Sequence, residues 1–268
     1  MRVAVLGLGE AGGIYAAELA ELGSEVTATD PVVASAPPGV TLASDIPEAV
    51  RDAEIVLSLV GGGAAASALD VALPAMRPGS VYADLNTLGP DEKRRLGALA
   101  AERGIPFVDV AVLAPVPRAR LRTPLALSGS GADRLQTFLE QLQVPTTAAG
   151  AEPGAAAGLK LLRSVFMKGL AALIFEAVTA AREVGAEDWV TEQIASELGP
   201  GGRALVQRLL DGTPVHAVRR EAEMRDALAF LESLGAAHPM TDGTIAWLHA
   251  LAGGANADDP RSAASDPS

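Results

Sequence analysis

The sequence predicts an α/β fold, a doubly wound parallel sheet followed by an all-α C-terminal domain. Three observations predict it. Strand-like and helix-like runs alternate from Arg2 to Ala148. From Gly154 to Gly185 no strand signal and no proline interrupts a helical run, and shorter helical runs follow it. The first apolar strand, Val3-Ala4-Val5-Leu6, runs straight into a glycine-rich turn that opens a helix.

In order, the strand candidates are Arg2–Leu6, Glu25–Thr29, Glu54–Leu59, Ser80–Asp84, Phe107–Val110, Pro124–Leu127 and Thr146–Ala148. Each is a short apolar or β-branched run bounded by turn residues. The helices between them are Ala11–Leu22, Pro47–Asp52, Ala64–Ala75, Pro90–Arg103 and Ala132–Leu142. Pro90 follows Gly89 and suits a first helical turn, where a missing N–H costs nothing. The run Gly154–Gly185 reads as one helix roughly 45 Å long at 1.5 Å per residue. Leu159, Leu161, Leu162, Val165, Phe166, Leu170, Leu173, Ile174, Phe175 and Val178 spread around most of its circumference. A helix apolar on nearly all sides is expected to be buried on nearly all sides. Further helices are expected at Asp188–Glu197, Arg203–Leu210, Pro214–Leu234 and Asp242–Leu251. The stretch Gly253–Ser268 carries no large apolar side chain and reads as a disordered tail. The domains are therefore 1–150, 151–252 and the tail 253–268.

The opening turn is Gly7-Leu8-Gly9-Glu10-Ala11-Gly12, a G-x-G-x-x-G with a strand before it and a helix after it. Gly7 permits a tight turn, Gly9 lets backbone approach a pyrophosphate, and Gly12 lets the helix pack closely. The helix N-terminus faces the phosphate charge. A second strand ends on Asp30, eighteen residues past Gly12, where a carboxylate accepts bonds from ribose hydroxyls. This pattern predicts a Rossmann-type dinucleotide domain; the alternative is a plain βα turn that binds nothing. Asp30 repels a 2′-phosphate, and Pro31, Val32 and Val33 follow it with no arginine, so NAD is favoured, with NADP possible.

Composition narrows the rest. The chain has 268 residues, 49% of them hydrophobic, and a formal net charge of −12. That charge argues against nucleic acid as a partner. With no cysteine, disulfides, thiolate metal sites and Cys nucleophiles are excluded. His216, His238 and His249 form no metal motif, so no metal is expected. No signal peptide precedes the first strand, and no apolar run is long enough for a membrane span; a cytoplasmic protein is expected.

Lysine is rare: Lys93, Lys160 and Lys168 are the only ones. Lys160, Ser164 and Lys168 lie within about 80° of one another on the long helix, one polar stripe on an apolar rod. Both lysines could snorkel to solvent. Alternatively Lys160 lines a cleft beside the nucleotide domain, where Lys168 and Arg163 favour its neutral amine, able to take a hydroxyl proton.

These features resemble the β-hydroxyacid dehydrogenases, the superfamily of 6-phosphogluconate and 3-hydroxyisobutyrate dehydrogenases. The resemblance rests on Leu6–Gly12, Asp84-Leu85-Asn86-Thr87, the segment Asp109–Pro115, and Gly154 with Lys160 six residues later. Lys160–Leu170 and Arg220–Met240 resemble a poorly characterised branch with a short helical C-terminal domain of unassigned function. The resemblance implies that Lys160 is the general acid/base. It implies that Asn86 and Thr87 approach the nicotinamide, that Leu59 and Val60 line the cofactor, and that a homodimer buries the long helix. Ser164, Lys168, Asn86 and Glu223 are the candidate substrate contacts. Three departures stand out. Leu113-Ala114-Pro115 replaces the family's Ser-Gly-Gly substrate loop, Ser164 replaces an asparagine, and Ala222-Glu223 replaces a Lys-Asp pair. Arg118, Arg120 and Arg122 could hold an anionic substrate group or line a solvated segment. The implied function is NAD(P)-dependent hydride transfer between nicotinamide and a hydroxyl or carbonyl carbon of a small acidic substrate. The alternatives are an imine reductase, or a redox sensor that binds dinucleotide without turnover.

Overall fold

A computed structural model describes residues 1–257. The chain divides into two compact units, the first ending at Lys160 and the second beginning at Leu161.

The first unit is an eight-stranded sheet: β1 (Arg2–Leu6), β2 (Glu25–Thr29), β3 (Val40–Leu42), β4 (Ile55–Ser58), β5 (Val81–Asp84), β6 (Phe107–Val112), β7 (Leu125–Ser128) and β8 (Thr146–Gly150). Their order is β3-β2-β1-β4-β5-β6-β7-β8. The helices α1 (Glu10–Glu21), α2 (Ile46–Val50), α3 (Ala65–Ala72), α4 (Pro90–Glu102), α5 (Val116–Ala119) and α6 (Ala132–Gln141) connect them. The two-residue alternation of a strand sorts side chains to two cores. Val3 and Val5 join Tyr15, Leu19, Leu57 and Phe138 on one face. Ala4 and Leu6 join Leu69, Tyr82, Leu96 and Phe107 on the other. Strand order reverses at β1, which pairs with β2 on one side and β4 on the other, so a crevice opens beyond their carboxyl ends.

Two expectations about the sheet are corrected. β3 went unseen: it has three residues and lies at the sheet edge with Thr41 and Leu42 exposed, too short to show alternation. And the sheet is not wholly parallel, because β7 runs antiparallel to β6. The connection between them holds only the four-residue α5 and one 3-10 turn, no helix long enough to cross over the sheet, so the chain returns in the opposite direction.

The register puts polar residues side by side. Leu6 pairs with Ser58, Ser58 with Asp84, Asp84 with Asp109 and Asp109 with Ser128. All five are fully buried. This row meets the start of α7 (Ala155–Glu183), the long helix. The residues before it, Glu152-Pro153-Gly154, include no Ser, Thr, Asp or Asn to cap it. The caps come from the sheet instead. Asp109 Oδ2 accepts from the backbone N–H of Gly154 (3.0 Å) and Ala157 (2.9 Å), and Ser128 Oγ accepts from Ala156 N–H (3.0 Å). Donors that a helix leaves unsatisfied at its first turn are thus met by strands.

The second unit contains the rest of α7 with α8 (Glu187–Glu197), α9 (Gly202–Val215), α10 (Ala217–Ser233) and α11 (Pro239–Ala257). One core joins Ala171, Ile174 and Val178 to Ala195, Val206 and Leu209. The other joins Leu161 and Val165 to Met224, Ala227, Ile245 and Leu248. Within one copy of the chain the long helix is not buried all round: Leu159, Leu162, Phe166 and Leu173 are 47%, 41%, 67% and 52% exposed. Two expectations change. The run expected as one helix from Pro214 breaks at His216, with Pro214 in the last turn of α9, where it ends the helix. And the tail expected from Gly253 is helical as far as Ala257; its remainder lies outside the described residues.

If the sheet caps α7 as described, Ser128→Ala destabilises the protein by roughly 1–2 kcal/mol, because Ala156 N–H loses its acceptor and Asp109 a donor. Urea denaturation against the exposed control Ser67→Ala measures this; equal midpoints would remove the cap from the account.

Candidate functional site

The glycine turn is shaped by contact on two sides and open on a third. Gly7 has φ +91°, and a Cβ there would lie 2.6 Å from the carbonyl oxygen of Leu59. A Cβ on Gly12 would lie 1.9 Å from the carbonyl oxygen of Gly7, so α1 can approach the turn only through a glycine. Gly9, the residue before α1, would meet nothing within 4 Å. No side chain caps α1. Its first-turn N–H groups, on Glu10, Ala11 and Gly12, therefore have no side-chain cap, and an anion placed beside Gly9 gains both hydrogen bonds and the helix dipole. That cradle fits a pyrophosphate. Glu10 is exposed, Ala11 half-buried, and Leu8 is anchored in the core.

Asp30 closes one end of the crevice. Its Oδ2 accepts from Leu8 N–H (2.8 Å), and its Oδ1 accepts from Val32 (2.8 Å) and Val33 (3.2 Å) N–H. Desolvation pulls this carboxyl upward, but the three backbone donors outweigh it and hold the group below the usual carboxylate range. Asp30 thus stays ionised and ties the glycine turn to the loop after β2. Leu59 and Val60 follow β4, half-buried, and pack into opposite cores, which places them on either side of the crevice.

At the end of β5 the polar row becomes a network. Asp84 Oδ1 accepts from the backbone N–H (2.8 Å) and Nδ2 (2.6 Å) of Asn86. Asn86 Nδ2 also donates to Ser58 Oγ (3.0 Å), and Asn86 Oδ1 accepts from Gly61 N–H (2.7 Å). The Asn86 side chain is thus engaged within the protein, clamping the loop after β4. Its neighbour Thr87 is exposed, and Lys160 Nζ donates to Thr87 Oγ1 (3.3 Å). Beneath them Lys93, 1% exposed, reaches in from α4. Its Nζ donates to the Asp84 carbonyl (2.7 Å) and lies 3.6 Å from Asp84 Oδ1 and 3.3 Å from Asp109 Oδ1. Burial pushes the Asp84 carboxyl up, more than Lys93 and the Asn86 donors pull it down.

The structure thus brings Gly7, Leu8, Gly9 and Asp30 together, and Asn86, Thr87 and Lys160 together. Ser164, Lys168 and Glu223 meet in the second unit: Lys168 Nζ lies 2.7 Å from Glu223 Oε2 and donates to Ser164 Oγ (3.0 Å), with Arg219 3.7 Å from Glu223. Arg120 pairs with Glu18 of α1 and Arg122 donates to Gln143, so both serve the segment after β6. Pro115 precedes α5. Sequence reasoning missed Lys93, Ser58 and Ser128. The available signal was a polar residue at or near the end of each strand, and a lone lysine among apolar positions of a helix. Among the described residues no cluster of His, Asp and Glu could hold a metal ion, and no helix is long and apolar enough to cross a membrane.

Residues 2–145 match the family model described as the NAD binding domain of 6-phosphogluconate dehydrogenase. Residues 181–251 match a domain of unknown function, DUF1932. An uncharacterised 28.5 kDa protein of Methanothermus fervidus is 30% identical over 73% of this chain and 74% of its own. A probable 3-hydroxyisobutyrate dehydrogenase of Mycobacterium tuberculosis is 29% identical over 68% of this chain and 65% of its own. Among solved structures, a conserved hypothetical protein of Sinorhizobium meliloti superposes with TM-score 0.79 at 29% identity, covering 97% of this chain and 90% of its own. An imine reductase of Streptomyces aurantiacus superposes with TM-score 0.61 at 25% identity, covering 96% and 95%.

Gly9→Ala separates binding from folding. Its Cβ meets nothing in the protein, so the melting temperature stays within about 2 °C of the parent. The same Cβ occupies the cradle, so NADH affinity falls at least roughly tenfold by calorimetry. Unchanged affinity would move the pyrophosphate elsewhere.

Proposed function

Because the chain belongs to the β-hydroxyacid dehydrogenase superfamily, as an NAD-binding oxidoreductase of the 3-hydroxyisobutyrate dehydrogenase kind, we propose that it moves hydride between nicotinamide and the hydroxyl or carbonyl carbon of a small acidic substrate. Lys160 is its general acid/base. The observation that carries this reading is the Lys160–Thr87 hydrogen bond, which puts the amine beside the Asn86–Thr87 loop at the carboxyl end of β5. The nicotinamide supplies the hydride acceptor or donor. The chain supplies the rest. Asp30 accepts from the ribose hydroxyls and favours NAD over NADP, and the α1 N-terminus holds the pyrophosphate. Leu59 and Val60 line the cofactor. As the C–H hydride leaves, the Lys160 amine takes the O–H proton; in reduction it returns that proton to the carbonyl oxygen. Ser164, Lys168 and Glu223 form the substrate-contact group. The segment Leu113-Ala114-Pro115 gives a substrate carboxylate fewer backbone donors than Ser-Gly-Gly would, since Pro115 has no N–H. That difference, with the likeness to an imine reductase, supports the second reading, reduction of a C=N bond.

Lys160→Met is expected to lower hydride transfer by about 10²-fold or more, followed by stopped-flow absorbance of the reduced nicotinamide. The substrate is found from a panel of hydroxy acids, carbonyls and cyclic imines. Full transfer in the variant would refute the assignment, and activity confined to imines would favour the second reading.

Leu159, Leu162, Phe166 and Leu173 recur at helical spacing as one exposed apolar stripe on α7. We propose that a second copy of the chain covers it in a homodimer. Light scattering then gives the dimer mass for the parent at micromolar concentration and a monomer for Phe166→Glu. A monomeric parent would remove the proposal.

A further inference from the structure

We propose that Lys93 is a positioning residue for Lys160: its buried ammonium fixes the first turn of α7 against the Asn86–Thr87 loop. The inference rests on the general acid/base reading of Lys160 and deepens it.

The argument is a closed circuit of contacts inside the first unit. Gly61 N–H binds Asn86 Oδ1, and Asn86 binds Asp84 Oδ1 through two donors. Lys93 Nζ binds the Asp84 carbonyl and faces Asp109 Oδ1. Asp109 Oδ2 takes Gly154 and Ala157 N–H at the start of α7. Three residues after Ala157 comes Lys160, about 4.5 Å further along the helix. Its Nζ reaches Thr87, the residue after Asn86, and closes the ring. In this circuit the ammonium is the link between the two carboxylates. Asp84 Oδ2 and Asp109 Oδ1 accept no hydrogen bond among the described residues, so the charge of Lys93 is what balances them. The path from Lys93 to the backbone of Lys160 runs through β6 and the first turn of α7. A shift of Asp109 against Asp84 therefore appears as a shift of the Lys160 amine against Thr87. Misplacement of a reacting group by about 1 Å costs on the order of 10²-fold in rate.

Lys93→Met alone leaves two buried carboxylates without a cation and can unfold the chain. The informative variant is Asp84→Asn with Lys93→Met. It removes one carboxylate together with the cation, and keeps an amide oxygen for the Asn86 donors. The link is thereby removed. Lys93→Arg, with the charge kept but a planar fork in place of the ammonium, answers the same question if the double variant is unstable. With three lysines in the chain, ¹⁵N-lysine labelling resolves Lys160 directly. In a variant that folds and binds NADH within about threefold of the parent, the titration midpoint of Lys160 is expected to move by roughly half a pH unit or more. With a substrate that the parent turns over, kcat falls on the order of 30-fold or more while KM changes little. A purely structural role for Lys93 lowers the melting temperature and leaves the Lys160 midpoint unchanged; that result overturns the inference. The NMR measurement needs no substrate. A parent without turnover would therefore sink the catalytic reading alone, and an unmoved Lys160 would sink this one alone.

Discussion

The first unit depends on one constraint: Lys93, Asp84 and Asp109 are charged groups shut away from water, and each must be satisfied by a different element. Removing an ion from water costs several kcal/mol after relaxation, roughly, and attraction between partners offsets this only in good geometry. Here the geometry needs α4 to deliver Lys93, β5 to deliver Asp84, β6 to deliver Asp109, and α7 to deliver Gly154 and Ala157 N–H. Loss of any one strands the others. Elements far apart in sequence are thereby bound into one piece, near the carboxyl end of β5 where the candidate chemistry lies.

The cofactor end works by a different principle. There the protein leaves polar groups open instead of pairing them. α1 has no side-chain cap, and Gly9 removes the one Cβ that would fill the cradle. Asp30, already ionised by three backbone donors, holds the turn in shape. At this end the helix terminus is left open to an anion. At the other, the sheet completes the terminus of α7 itself, and Lys160 sits less than two turns into that helix.

Much of this was legible in the sequence. The boundaries of β1 and β2 followed from their apolar runs and turn residues, and Gly7, Gly9, Gly12 and Asp30 from their spacing. Lys160 stood out because lysine is scarce and the helix apolar. Three things were not legible. β3 has three residues at the sheet edge, below the length at which alternation shows. The antiparallel turn of β7 depends on what the connection does in space, which composition does not encode. And the polar row Ser58, Asp84, Asp109 and Ser128 exists only through strand register. In sequence these are four isolated residues, and the position of Lys93 on α4 does not say which carboxylates it meets. The apolar pattern of α7 told which faces want cover, and one copy of the chain leaves Leu159, Leu162, Phe166 and Leu173 exposed.

Native-state hydrogen exchange of the amides of Ala156 and Ala157 tests the central claim most directly. If buried Asp109 and Ser128 hold the first turn of α7, these amides exchange only through global unfolding, with the same opening free energy as Val5 and Leu57 in the sheet core. Opening free energies lower by about 2 kcal/mol or more, as for a fraying helix end, would contradict the account.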